Sequence, residues 1–167
     1  KINSIGAVTR GQLTGFAGYC SFKQELSKKL ERPHRAVIVS ISIDFLQELN
    51  LVSGWVVGDI ALCSIASLIK EPPGRTSFSG KVSGNTFICY IATDSISEVR
   101  DWLDSVSEMI RKLELPGLDI LPEEHLTISG GIFRKPPEVS SADDTLKEVK
   151  KRLKYAQAQG GNTLSLL

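Results

Sequence analysis

The run Arg35–Ile43, RAVIVSISI, constrains the fold more than any other stretch. It is rich in β-branched residues and nearly all apolar, so it reads as a strand buried on both faces. A sheet with such a strand at its centre needs helices on both sides. The rest of the chain supplies them. Val56–Lys70 carries apolar residues on a broad helical face and stops at Pro72-Pro73-Gly74. Asp94 or Ser95 is a candidate cap, with Glu98 completing a box, for a helix reaching about Leu113. Ser141 to Asp144 caps a final helix reaching about Gln159, in which Leu146, Val149, Leu153 and Ala156 share one face. Two further helices are expected. FKQELSKKLE follows a capping box at Ser21–Gln24 and ends at Pro33, and Phe45–Leu51 ends at Ser53-Gly54.

Thr76–Val82 and Thr86–Ala92 are strand candidates joined through Ser83-Gly84-Asn85, a hairpin by its turn residues and flanks. His125–Phe133, HLTISGGIF, reads as another strand, with Gly130-Gly131 predicting a bend or bulge. Gly160-Gly161 ends the final helix, and Asn162–Leu167 makes a last strand. The first segment, KINSIGAVTRGQLTGFAGY, reads as an extended lead-in and loop. With the lead-in helix set aside, the order is β-α-α-β-β-α-β-α-β. That order predicts an α/β (α+β) fold with a mixed central sheet of about five strands and helices on both faces.

Length and charge narrow the function classes. A chain of 167 residues holds one domain with a proper core. A formal net charge of +1 offers no broad electrostatic footprint for nucleic acid. No apolar run approaches a membrane span. Cys20, Cys63 and Cys89 are odd in number and far apart, which predicts reduced, buried thiols and a cytoplasmic setting. His34 reads as solvent-facing and His125 as structural, and two histidines are too few for a His-based metal site. Lys147, Lys150, Lys151, Arg152 and Lys154 interleave with Asp143, Asp144 and Glu148, which reads as a solvated helix face. The chain opens on Lys1 with no signal pattern, so a segment of a longer multidomain protein is expected.

Several motifs, in order and with matching spacing, resemble the GGDEF domain of diguanylate cyclases over nearly the whole chain. Leu13-Thr14-Gly15 resembles the family's entry motif, with Gly11, Gly18 and Tyr19 at its Asp, Asn and Arg positions. Ser42-Ile43-Asp44-Phe45-Leu46, then Asn50, Gly54-Trp55 and Gly58-Asp59, resembles Asp-x-Asp-Phe-Phe, Asn, Gly-His and Gly-Asp without a gap from Phe45 to Asp59. TISGG, Thr127–Gly131, resembles the family's Thr-Ile-Ser-x-Gly strand, and Tyr155 to Asn162 resembles its closing Ala-Lys-x-x-Gly-Arg-Asn. The signature hairpin, Gly-Gly-Asp/Glu-Glu-Phe, falls on Ser83, Gly84, Asn85, Thr86 and Phe87. The turn and the packing Phe are kept and both acids are gone.

The resemblance implies a nucleotidyl-cyclase palm-like fold with the hairpin at a former active site. It also implies what is missing. The metal-ligand positions correspond to Ser42 and Asn85, and the second signature acid to Thr86. Hard Mg²⁺ sites normally take carboxylates. Asp44 is a candidate remnant that shares a strand face with Ser42. The phosphate-binding Lys and Arg correspond to Gln157 and Gly161, and the inhibitory product site to Gly74 and Ser77, with Arg75 one position off. Asn50 and Asp59 fall where the family contacts guanine, and an amide and a carboxylate can read that base edge. Either residue has a plainer reading: Asp59 as a charge at a helix start and Asn50 as a helix-terminal group. Trp55 is read either as a core residue or as an exposed anchor for a protein.

The expectation is a degenerate, catalytically inactive GGDEF-like domain without resident metal or cofactor. It would act as a regulatory or protein-interaction module in bacterial cyclic di-GMP-related signalling. Its partners would be a protein or neighbouring domains of the same chain, not nucleic acid or membrane. The alternative is a vestigial guanine-nucleotide sensor. A third reading, an atypical nucleotidyl transferase built on Asp44, lacks a second carboxylate.

Overall fold

The computed structural model describes residues 13–166, and the Gly11 position of the entry motif lies outside them. The RAVIVSISI run forms β2, Ala36–Asp44, at the heart of a six-stranded mixed sheet. Around it, in chain order, are β1 (Ala17–Gly18), α1 (Tyr19–Leu30), α2 (Leu46–Ser53), α3 (Trp55–Ile69), β3 (Phe78–Ser83) and β4 (Thr86–Ile91). Then come α4 (Ile96–Arg111), a short 3-10 turn (Leu118–Ile120), β5 (Thr127–Lys135), α5 (Ala142–Ala158) and β6 (Leu164–Ser165). The strand order is β1-β3-β4-β2-β5-β6. The two edge pairs are parallel and the pairs between them antiparallel. The sixth strand comes from the lead-in: Ala17–Gly18 pairs with Gly80–Lys81, where the sequence reads only as loop.

Alternation along β2 feeds two cores. Val37, Val39, Ile41 and Ile43 face α3 and α4, meeting Leu62, Ile65, Leu103 and Val106. Ala36 and Ile38 face the other side, where Phe22 and Leu26 of α1 meet Leu146 and Val149 of α5. Each of these large side chains contributes roughly 1.5–3 kcal/mol by leaving water. The expectation of helices on both faces is met.

Three local expectations are revised. The helix before Pro33 starts at Tyr19, with Gly18 at the cap position, so Ser21 lies inside it rather than capping it. Gly130-Gly131 makes no bulge: β5 keeps unbroken register with β2 from Ala36 to Asp44. The glycines serve close approach instead. A Cβ on Gly131 would fall 2.7 Å from the Val149 carbonyl oxygen of α5, and one on Gly130 would fall 2.7 Å from Leu164. The irregular register lies on β3, between Lys81 and Ser83. His125 also falls just before the strand rather than beginning it.

Other side chains are placed more sharply than sequence allows. Ser95 is the α4 cap, accepting from the Glu98 amide at 3.2 Å. Asp94 instead joins Arg134 at 2.8 Å and Arg35 at 3.3 Å. The Arg134 bond holds the Asp94 carboxyl below its ordinary range. His34 is half-buried, not solvent-facing, with one ring nitrogen 2.8 Å from the Tyr90 hydroxyl and the other 2.7 Å from the Arg32 carbonyl. Of the three thiols only Cys89 is buried, while Cys20 is exposed. Burial raises the Cys89 thiol to about 12. Among the described residues no helix is long and apolar enough to cross a membrane.

Candidate functional site

The hairpin tip is where the site begins. β3 and β4 turn through Gly84 and Asn85, and the turn leans on the end of β2. The Asn85 carbonyl accepts from the Ile43 amide at 3.0 Å, and its side-chain amide donates to the Ile43 carbonyl at 3.3 Å. Phe87 is fully buried against Phe16, with ring centroids 4.8 Å apart. The signature Phe therefore anchors the hairpin in the core.

Asn50 and Asp59 come together. Both line a cleft of about 240 Å³ with Trp55, Gly58 and the hairpin residues Gly84 and Asn85. α2 ends at Gly54, whose φ of 83° reverses the chain so that Asn50 and Asp59 approach from two helices. The Asn50 side-chain oxygen is buried with no hydrogen-bond partner. It fits only because Gly58 has no Cβ to collide with it. An orphaned buried amide oxygen is costly to the fold and calls for an explanation beyond packing. Beside the cleft, Leu51 (83% exposed), Trp55 (56%) and Val56 (73%) stand in solvent.

Ser42, Asn85, Gln157 and Gly161 meet in a second cleft, of about 310 Å³, which shares Asn85 with the first. The spacing that assigned these positions from sequence thus survives as a spatial cluster. Two carboxylates line it, Asp44 and Glu48, and Asp44 is already engaged. Asp44 Oδ2 accepts from the Thr127 hydroxyl at 2.8 Å and the Asn162 amide at 2.9 Å, while Oδ1 accepts from the Ser129 hydroxyl at 2.8 Å. Gly161 brings the chain past this carboxylate at a φ of 83°, and a Cβ there would sit 3.1 Å from it. Ser42 is buried, and the Thr86 hydroxyl donates to the Asn85 side-chain oxygen at 3.3 Å. Phe45, at a φ of 60°, makes the tight corner into α2. Among the described residues no three His, Cys, Asp or Glu side chains gather into a metal-binding group.

The remaining positions are neutral. Ser77 donates to the Pro73 carbonyl at 2.5 Å and accepts from the Ala92 amide at 2.9 Å, closing the turn that holds Gly74. The Asp44 lock went unread in the sequence, although Thr127 and Ser129 alternate onto one face of β5 opposite it. Trp55 as an exposed neighbour of the cleft was one of two open readings, and the exposed one holds.

Comparison with known proteins agrees with this geometry. The family model described as diguanylate cyclase, GGDEF domain, matches residues 9–163. The chain is 24% identical over 143 residues to the probable diguanylate cyclase DgcJ of Escherichia coli K12, covering 86% of this chain and 27% of that protein. It therefore spans little more than a quarter of that relative. The GGDEF domain of DgcB from Caulobacter crescentus, solved in complex with c-di-GMP, superposes with a TM-score of 0.80 at 20% identity, covering 92% of each chain. Diguanylate cyclase SiaD of Pseudomonas aeruginosa, solved with its activator SiaC, gives a TM-score of 0.75 at 19% identity, covering 91% of this chain and 59% of that one. With the hairpin, both helix-borne positions and the closing glycine loop in place, the chain belongs to the GGDEF domain family of diguanylate cyclases.

Proposed function

We propose that this domain makes no cyclic dinucleotide and acts by contact with protein, as a regulatory module in cyclic di-GMP-related signalling. The engaged Asp44 carboxylate carries the reading. The donor set around it does not fit a hard divalent cation, which takes several oxygen ligands and usually a carboxylate. Ser42 and Asn85 bring no charge, both Asp44 oxygens already hold protein donors, and Glu48 alone adds a further carboxylate to the cleft, short of a three-ligand group among the described residues. Gln157 and Gly161 bring no cation to a triphosphate. The exposed Leu51, Trp55 and Val56 beside the tip support contact with a protein, since a cluster of exposed apolar side chains marks such surfaces. A relative crystallised with a protein activator is in keeping with this. The test is incubation with GTP and Mg²⁺ or Mn²⁺, followed by mass spectrometry. No cyclic di-GMP is expected, and clear turnover sinks the reading.

One observation favours a second reading, a guanine-nucleotide sensor. The Asn50 side-chain oxygen has no partner, and Asn50 lines the same cleft as Asp59. A turn of the Asn50 amide into the cleft would present it to a base edge bearing N–H groups. Calorimetry with GTP, GDP and cyclic di-GMP tests it, and no heat at millimolar ligand removes it.

A further inference from the structure

Two glycines decide how the α1–α5 face of the sheet is covered. A Cβ on Gly80 would fall 2.8 Å from the Phe22 Cβ, so α1 seats directly on β3. Gly131 lets α5 seat as closely on β5. The strip of β2 and β4 between them carries Ser40, Thr86 and Ile88. A cleft of about 450 Å³ opens there, between the hairpin and α5. Protein interiors rarely leave such space between packed elements, and it falls within the size range of small-molecule sites.

The chemistry of the walls is amphipathic. Val82, Ile88, Leu146 and Leu153 make an apolar floor. The Ser40 hydroxyl interrupts it, and its own bond to the Phe87 carbonyl is long, at 3.4 Å. Leu146, Lys150, Leu153 and Gln157 recur at helical spacing, so one side of α5 is turned to the cleft. Lys150 and Lys154, one turn apart, stand at its mouth, and neither is in an ion pair among the described residues. Two of the three acids of α5 are engaged elsewhere, Glu148 with Arg152 and Asp143 with Lys23, and the third, Asp144, sits in the first turn outside the cleft lining. This cleft lies on the opposite face of the sheet from Asn50 and Asp59.

We propose that this cleft is a binding site for a small amphipathic anion. The apolar body lies on Val82, Ile88 and Leu153, and a carboxylate or phosphate head meets Lys150 and Lys154. The cleft shares Thr86 and Gln157 with positions that correspond to the signature acid and the phosphate-binding Lys, but its apolar floor and its two lysines belong to neither the cyclase reaction nor the guanine cleft. A ligand there touches Ser83 and Thr86 and so reaches the hairpin tip from behind.

The test uses 1-anilinonaphthalene-8-sulfonate, a rigid apolar body with one anionic group, titrated by fluorescence into the natively folded chain. Saturable one-to-one binding is expected, with amide shifts in labelled protein confined to β3, β4 and α5. Lys150→Gln with Lys154→Gln should weaken it by about tenfold through loss of two charge-assisted contacts. Arg100→Gln with Arg111→Gln, on α4 across the sheet, should change it less than about twofold, since distant exposed charges are screened. Ser40→Leu should fill the floor and abolish binding while thermal unfolding stays cooperative. Competition by 1-naphthyl phosphate or by 1-naphthoate identifies which head is preferred, and displacement by either supports the site. Displacement by neither, equal affinity in the Lys150/Lys154 variant, or shifts centred on α2 and α3 overturns it.

Discussion

The Asp44 carboxylate accepts the Asn162 backbone amide at 2.9 Å, tying the end of the central strand to the loop after the last helix. These residues are 118 positions apart in the chain. With Thr127 and Ser129 also donating, Asp44 joins three segments of the fold. Asp44→Ala strands two hydroxyls, both on buried residues, without an acceptor. Hydrogen bonds to a charged group contribute about 1.5–3 kcal/mol each, with losses from neighbouring bonds not fully additive. Urea unfolding should show a loss of about 2–4 kcal/mol, and Mg²⁺ should not change the midpoint of either protein. A variant as stable as the parent removes the structural role of Asp44.

Gly131 and Gly84 make a matched pair. Any Cβ at Gly131 meets the backbone of α5, which cannot move aside as a side chain can. Gly84 has nothing within 4 Å of its would-be Cβ. Gly131→Ala should cost about 3 kcal/mol or more by forcing α5 off the sheet. Gly84→Ala should stay within about 0.5 kcal/mol. Thermal unfolding of the two variants side by side checks this, and equal melting points would show that α5 does not depend on the contact.

These cases show what sequence can reveal and where it stops. The doubly buried β2 and the α5 stripe of Leu146, Val149 and Leu153 were legible because burial leaves a periodic trace. The Ser83–Phe87 turn was legible because its backbone demands particular residues. Gly130-Gly131 was misread because glycine marks either a bend or a close approach, and only tertiary packing decides between them. The Asp44 lock was invisible because its partners at Thr127, Ser129 and Asn162 are brought near only by the fold. The cleft above Ser40 is likewise a product of helix placement, which no local pattern records.

Cys89 gives a pH-dependent signature. Its thiol ionises near 12 when folded, because burial disfavours the thiolate, and nearer its ordinary value of 9.0 when unfolded. The stabilisation is therefore complete below pH 9 and is lost as pH climbs toward the folded value. Over that window stability should fall by roughly 1.4 kcal/mol per pH unit on account of this group. Tyr90, also raised by burial, acts in the same direction. Cys89→Val should flatten the alkaline limb while leaving the neutral-pH fold intact. A thiol reagent should label exposed Cys20 in the native protein and reach Cys89 only on unfolding. An unchanged alkaline slope in the variant counts against the burial argument.

Asn50 separates a structural role from a binding one. Its side-chain oxygen is buried without a partner, so the folded domain bears the cost of a desolvated acceptor. Replacement by Leu, which is close in volume and has no polar atoms, removes that cost. Unfolding should then show a gain of about 0.5–1.5 kcal/mol. A structural amide capping the end of α2 would give the opposite sign. Gly58→Ala extends the test, because its new Cβ would occupy the space where the Asn50 side chain now sits. That displacement should leave α3 formed, and any nucleotide affinity should fall in both variants alike. A position that gains stability when its polar group is deleted is one that the fold alone does not explain.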